Sequence, residues 1–565
     1  MQTIWEIKSH RLGSGPGPDP TTTVLLSPLT KQLLSLRGIE DDQAIDRYLF
    51  PQLDQLHDPY LMKGMREAVS RILRASEKKE LIMVHGDYDV DGITGAALLS
   101  RMLQKLGAEF YCFLPDRAID GYGVSKRGIR EAKEKNAKLM ITVDCGIAAI
   151  EQVTLARELG MDVIILDHHQ VHAVLPDANV IINPLQADCP YPFKELSACG
   201  LAFKLAQALL GPFAHRLLDL AALSSVCDVA PLAGENRIIV KYGLDVLTSR
   251  QNVGLAKLAE VGKIRSPKAT TTHLGFVYGP RINACGRMSS PETALRLLVT
   301  SHEKEAASLA RVLDEENKVR QREDREMLRQ AVQKVEREIN FTRDRVIVLW
   351  QEGWHPGVIG IVAQRLAERY GRPSFVIALV NGKGKASARS IKGFHLFKAL
   401  EACQGELEEF GGHELAAGFS IVKDKCESFR QKMNDYALGF DPKSFVKSIT
   451  VDLEITFRDL TPSFLRELAL FAPFGPGNPK PVLLTRGVCS KKGTLQSKGN
   501  TLSWWVTDGA QTFQAAWTQK QAGGEAAPGE NETYDIVYSP SLKERDGIAT
   551  VSLAVKDVKI TGTST

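Results

Sequence analysis

Between residues 81 and about 240, short apolar runs alternate with stretches whose apolar residues return at helical spacing. The runs fall at 81–84, 109–114, 139–143, 163–166 and 180–182, with helical patterns such as 125–134 and 148–159 between them. Strands of this kind alternating with helices predict a mostly parallel sheet covered on both faces. The pattern recurs at 343–440, with strands at 346–349 and 374–379 around a helix at 358–369. A basic, small-residue turn at 383–389 and the glycine-flanked His413 of FGGHELAAGFS come next.

From residue 449 the pattern changes to short strands, at 449–457, 482–485, 502–507, 513–517, 534–538 and 550–555. One helix, capped by Thr461 with Pro462 in its first turn, interrupts them. This predicts a small β-barrel of the oligonucleotide-binding type. Residues 301–338 form one helical pattern without Gly or Pro. Its centre, DEENKVRQREDRE, has Val319 as its only large apolar residue, so the helix is expected to bridge two domains through solvent. The expected organisation is a weakly determined lead-in at 1–40, which includes GSGPGPDP, then an α/β domain at 41–300. The connecting helix at 301–342, a second α/β domain at 343–440 and the barrel at 441–565 complete it.

Composition narrows the class of protein. A hydrophobic content of 44%, a charged content of 24% and a net charge of +4 are those of an ordinary soluble chain, so any nucleic-acid surface must be local. Nine cysteines, none in a CxxC pair, favour reduced thiols over disulfides or a zinc knuckle. MQTIWEIKSHRL has no apolar core of a secretory signal, and no run approaches the ~20 residues of a membrane span. A cytoplasmic protein without membrane contact is expected.

The chemistry collects where apolar runs end. LIMV runs into HGDYDVDG, which holds His85, Asp87, Asp89 and Asp91 within seven residues. Unless something cationic sat among them these carboxylates would repel one another; a divalent metal or a solvated acidic turn both fit. Asp144 follows the next run, Asp167-His168-His169 the one after, and a helical pattern at 217–226 ends at Cys227-Asp228. In parallel sheets reactive groups lie beyond the carboxyl ends of the strands, so this repetition favours a metal site. In HLGFVYGPRINACGRMSS, Arg281, Asn283 and Arg287 suit either surface ion pairs or a phosphate backbone. Trp504 and Trp505 face opposite sides of one strand, near Lys491, Lys492 and Lys498. Stacking on single strands or simple core packing would explain them equally well.

With HGDYDVDG, VDCG, LDHH and a later isolated Asp in order, the chain resembles the DHH phosphoesterase superfamily. With the GGH-bearing second domain and the barrel, it resembles the RecJ group of single-stranded-DNA exonucleases within it, over residues 40 to 560. The resemblance implies two divalent cations, Mn²⁺ or Mg²⁺. His85 and Asp89 would hold one, Asp91, His168 and Asp228 the other, with Asp144 bridging and Asp87 only supporting the loop. His169 would face the scissile phosphate, so the catalytic set is His169, Asp144, Asp89 and Asp91. Arg117 of LPDRAIDGYG, with Ser387 and Arg389 of SARS, would bind a 5′ phosphate. Arg281, Asn283, Arg287, Gly412 and His413 would contact DNA.

The implied activity is 5′ to 3′ degradation of single-stranded DNA to mononucleotides in repair and recombination. The implied enzyme is a monomer that works beside a helicase and the single-strand-binding protein. The alternatives are a phosphodiesterase of short oligonucleotides or cyclic dinucleotides and a non-catalytic single-strand-binding scaffold. Three departures from the family pattern stand out: LSSVCDVAPL before the last aspartate, Ser289-Ser290 after GRM, and Asp120 in place of the usual Glu.

Overall fold

The computed structural model describes residues 3–8, 26–116, 119–121, 123–288, 290–518, 528–529, 532–545 and 548–563. The glycine- and proline-rich stretch at 13–20 lies outside them. The chain falls into two units. One comprises 47–320 and 471–479; the other comprises 1–46, 321–470 and 480–565.

The first unit is built on a five-stranded, wholly parallel sheet. Its order is Phe110–Phe113, Ile82–Gly86, Leu139–Val143, Asp162–Leu166, Val180–Ile182. Alternation along each strand feeds two cores, as period-two geometry requires. Ile82, Val84, Ile141 and Ile164 pack with the helices Val90–Leu106 and Ala198–Leu210. Met83, Met140, Val163 and Ile165 pack with Lys126–Glu134 and Ile150–Glu158. Register aligns the strand ends: Gly86 pairs with Val143, Val143 with Leu166, and Leu166 with Ile182. Asp87, Asp144 and Asp167, each one residue further on, therefore emerge along one rim.

The second unit contains a mixed five-stranded sheet, ordered Glu409–Gly412, Ala416–Val422, Lys383–Arg389, Ser374–Val380, Ile347–Glu352. Residues 383–389, expected as a turn, are a central antiparallel strand. Gly384, Ala386 and Ala388 face inward while Lys383 and Lys385 face solvent, so small residues carried an alternation that looked like a basic turn.

The terminal strands close into a barrel, because Leu483–Ser490 pairs with both Glu532–Arg545 and Thr501–Thr507. The described parts of the lead-in are more ordered than expected. Ile4–Ile7 pairs in parallel with Ser448–Val451, Trp5 Nε1 donates to Asp557 at 2.7 Å, and Ser27 Oγ donates to Glu467 at 2.6 Å.

The long helix is Glu303–Glu338. Its centre is not solvated all round: Asn317 and Asp324 are buried, in line with Leu313, Met327 and Ala331. Asp324 pairs with Arg365 at 2.9 Å. A polar residue matched by a partner can occupy a buried stripe that hydropathy alone reads as exposed.

Candidate metal centre

Within the first unit, three groups of side chains each bring three ligand atoms within 4.8 Å of one another. They are Asp87, Asp89 and Asp144; Asp91, His168 and Asp228; and Asp144, His168 and His169. Four chain segments deliver them. Asp89 caps the helix Val90–Leu106, its Oδ1 accepting from the N–H groups of Asp91 at 2.9 Å and Gly92 at 3.3 Å. Gly92 is required there, since a Cβ would lie 2.4 Å from the Asp87 nitrogen. Asp144 leaves its strand with φ 66°, a left-handed conformation that Asp tolerates better than most residues. Asp228 ends the helix Leu218–Cys227.

Asp91 is held most firmly. Oδ2 accepts from the Ala198 N–H at 2.8 Å, and Oδ1 accepts from the Cys199 N–H at 2.7 Å and lies 2.6 Å from the Ser224 hydroxyl. The carboxylate thus sits on the amino end of the helix Ala198–Leu210, where free N–H groups and the helix dipole favour an anion. Ser224 belongs to the LSSVCD segment, one of the departures from the family pattern, which here supplies an additional hydroxyl against Asp91.

The crowding has an electrostatic signature. Burial, then repulsion from Asp91 and Asp89, pushes Asp228 up to about 8. Burial and the surrounding carboxylates of Asp91, Asp89, Asp87 and Asp228 drive Asp144 well above the usual carboxylate range. Burial, then Asp91, also raises Asp89. Burial holds His168 below its usual value, favouring a neutral imidazole. Desolvated carboxylates stacked against a neutral imidazole are a set that a divalent cation would relieve, and mixed oxygen and nitrogen donors suit Mn²⁺.

His169 is set up differently. Its Nδ1 lies 2.7 Å from Asp167 Oδ1, which also accepts the His169 backbone N–H at 3.1 Å, while Asp167 Oδ2 accepts from the Ile147 N–H at 2.9 Å. Burial opposes charge on this ring, but the hydrogen bond and charge of Asp167 outweigh it and raise the imidazole. Asp167 was assigned no role from the sequence. Its place two residues before His169, at a strand end in register with Asp144, was the signal.

Two expectations change in detail. Asp87, expected only to support the loop, joins Asp89 and Asp144 because it is the first residue past its strand. His85 belongs to none of the three groups among the described residues. It lies within the strand, its ring centroid 5.3 Å from that of Phe113; Nε2 accepts the Ser125 N–H at 3.0 Å and Nδ1 is 3.8 Å from Cys145 Sγ. Burial lowers it to about 4. Asp120 buttresses that wall, accepting from the Ser125 hydroxyl at 2.7 Å and from Arg127 at 2.6 Å.

The residues expected at DNA are distributed unevenly. Arg117 lies outside the described residues, as does the Arg287 side chain. Arg281 pairs with Asp314 at 2.8 Å and donates to the Val277 carbonyl at 2.9 Å; Asn283 Oδ1 accepts the Val90 N–H at 3.1 Å. Both have partners inside the protein. In the second unit, Ser387 and Arg389 share a strand, with Arg389 Nη1 donating to Ser387 Oγ at 3.0 Å. A Cβ on Gly360, near the start of the helix Ile359–Tyr370, would lie 3.0 Å from that Oγ and 3.2 Å from Arg389 Nη2. Gly412 has φ 141° and would place a Cβ 2.5 Å from Ala417 Cα; exposed His413 comes next, at the hairpin turn. Trp504 is buried at 2% exposure while Trp505 is 45% exposed, so the two indoles divide between core and surface.

A parallel sheet whose strand ends converge carboxylates and imidazoles into adjoining groups that could hold metal ions is the architecture expected of the DHH class. Family models agree, matching the DHH family N-terminal domain at 81–224, the DHHA1 domain at 343–438 and the RecJ OB domain at 451–557. The chain belongs to the RecJ family of single-stranded-DNA-specific exonucleases. It is 40% identical to the Bacillus subtilis single-stranded-DNA-specific exonuclease RecJ over 82% of this chain and 59% of that protein. It is 34% identical to the Escherichia coli RecJ over 81% of this chain and 83% of that one. The crystal structure of the Thermus thermophilus RecJ in complex with Mn²⁺ superposes with a TM-score of 0.80 at 30% identity. That match covers 99% of this chain and 79% of the other. The chain thus spans under two thirds of the length of the Bacillus relative. Among the described residues no helix is long and apolar enough to cross a membrane.

Proposed function

We propose that this chain degrades single-stranded DNA from the 5′ end to mononucleotides, by metal-dependent phosphodiester hydrolysis, in DNA repair and recombination. The observation that carries the reading is the convergence of Asp87, Asp89, Asp91, Asp144, His168 and Asp228 in adjoining groups on one strand rim. Asp91, His168 and Asp228 would hold one divalent cation, and Asp89 with Asp87 the other, with Asp144 shared between them. His85 joins only if its ring gives up the Ser125 N–H. Such a pair of ions supplies a water acidified for attack and neutralises charge on the attacking and leaving oxygens.

The chain's own groups do the rest. The helix end at Ala198 and Cys199 fixes Asp91, and Asp167 orients His169 so that Nδ1–H is committed and Nε2 can face the phosphate. A raised imidazole there offers a proton or a positive charge to the scissile group. In the second unit, Arg389 has no ion pair among the described residues and lies beside Ser387 and the start of a helix. These features suit a terminal phosphate. Arg117 is assigned to a 5′ phosphate from its motif alone, and Gly412 and His413 to the DNA backbone. Asn283 holds the loop that carries Asp89 and Asp91 through the Val90 N–H, Arg281 is engaged by Asp314 and the Val277 carbonyl, and Arg287 is assigned to DNA from its motif. Trp505 with Lys491, Lys492 and Lys498 gives the barrel a stacking and charge surface for a strand.

The domains are taken at 41–300, 301–342, 343–440 and 441–565, with Ile4–Ile7 of the lead-in paired to Ser448–Val451. A cytoplasmic monomer acting with a helicase and the single-strand-binding protein fits this role. The test is a digestion panel with Mn²⁺. A 5′-phosphorylated single strand should yield mononucleotides, a 3′-blocked strand should be cut equally well, and blunt duplex should resist. Preference for short oligonucleotides or cyclic dinucleotides over long strands would refute the reading.

A further inference from the structure

Nine residues of the barrel's stretch of sequence belong to the other unit. The chain up to Leu470 and from Lys480 onward groups with the barrel, whereas Phe471–Pro479, FAPFGPGNP, groups with the phosphoesterase unit. Within that unit the nonapeptide is bound by side chains of high burial. Arg237 donates to the Phe471 carbonyl (Nη1, 2.9 Å) and the Ala472 carbonyl (Nη2, 2.9 Å), while Nε donates to Tyr48 O and the guanidinium lies 4.1 Å over the Tyr48 ring. Asn478 Nδ2 donates to the carbonyls of Phe471 and Pro473 at 2.8 Å each, and its Oδ1 accepts the Tyr48 hydroxyl at 2.7 Å.

The nonapeptide lies against the turn that comes after Asp228. The Leu232 N–H donates to the Pro476 carbonyl at 2.7 Å. A Cβ on Gly475 would meet Leu232 at 2.7 Å, and one on Gly477 would meet Pro231 at 3.0 Å, so both glycines permit the close approach. A second arm runs through Thr271, whose hydroxyl donates to the Phe474 carbonyl at 2.8 Å. Three residues on, the Leu274 carbonyl accepts from Cys227 Sγ at 3.5 Å. The turn itself needs such support. Val229, next to Asp228, has φ 63°, a conformation that a β-branched side chain adopts only when its surroundings impose it.

We infer that Phe471–Pro479 is a strap that positions Asp228, with Asn478, Arg237 and Thr271 as its positioning residues, so that a segment from the barrel's sequence completes the metal centre. The inference rests on the reading of Asp228 as a metal ligand. It also changes what a truncation means: ending the chain after Phe440 removes the strap along with the barrel, so loss of activity on short oligomers would not measure strand grip.

The test uses full-length chains, Mn²⁺ titrated by calorimetry, single-strand binding in EDTA, and circular dichroism. Asn478→Ala should weaken Mn²⁺ binding about tenfold and Thr271→Val about threefold, as loss of a group that orients a ligand does, with fold and strand binding unchanged. In an Asp228→Asn background, Asn478→Ala should add no further loss, because its effect passes through Asp228. An additive loss, or unchanged Mn²⁺ affinity in both single variants, overturns the strap. Should Asn478→Ala fail to fold, Thr271→Val alone decides. If Asp228→Asn itself binds Mn²⁺ as the parent does, the ligand assignment fails first.

Discussion

The rim of the parallel sheet and the Ser387–Arg389 strand are opposites in charge. At the rim, carboxylates are packed close enough that burial and mutual repulsion raise Asp144, Asp89 and Asp228 together. On the Ser387–Arg389 strand a guanidinium sits among small residues with no ion pair among the described residues, and burial lowers it. One arrangement would be stabilised by a cation, the other by an anion. Sites of both signs are thus built the same way. Rigid backbone aims like groups at a place where water is scarce, and the missing charge is left for a ligand to bring.

The sharpest way to break this comparison is at Asp144, the one carboxylate shared by two of the donor groups. Asp144→Ala should lower kcat on 5′-labelled single strands with Mn²⁺ by at least ~10³-fold, about 4 kcal/mol of transition-state stabilisation. Digestion at the parental rate would refute the shared-ligand role. The anion side should behave differently. Arg389→Met should raise KM for a 5′-phosphorylated strand about tenfold, the loss of one charge-assisted contact, with little effect on a 5′-hydroxyl strand. An equal effect on both strands would remove the terminal-phosphate assignment.

The smallest effect separates burial from repulsion. Asp219 lies in the first turn of the helix that ends at Asp228, and burial, opposed by Arg101, raises it to about 6. A carboxyl raised on folding contributes stability that is fully present below its unfolded value and lost as pH rises through about 6. Asp219→Asn should therefore melt a few degrees above the parent at pH 8, by a smaller margin at pH 5, and level with it only near pH 4 and below. A gain that is independent of pH would show that Asp219 is not titrating in the fold.

Most of the candidate metal centre could be read as a cluster because its residues come directly after apolar runs, and a parallel sheet brings the residues just past its strands to one edge. Asp144, His168 and Asp228 needed no more than that rule and the motifs. Asp87 and Asp167 were assigned too little, because spacing shows that a residue is near a strand end but not which way it points once register is set. His85 stands apart from the three groups, since it precedes the strand's last residue and its ring lies beside Phe113 and the Ser125 N–H. The strand at 383–389 was hidden by its small residues, and the order of the lead-in by a pairing with residues more than four hundred positions away.

By itself the sequence determined the elements, their alternation, the acidic strand ends and the family, because these depend on local patterning and short motifs. The tertiary structure decided which carboxylates share a donor group, which arginines are committed to internal partners, and that FAPFGPGNP leaves the barrel's stretch to hold the turn after Asp228. Those matters depend on register and long-range packing, where residues far apart in the chain become neighbours, and no local pattern carries that information.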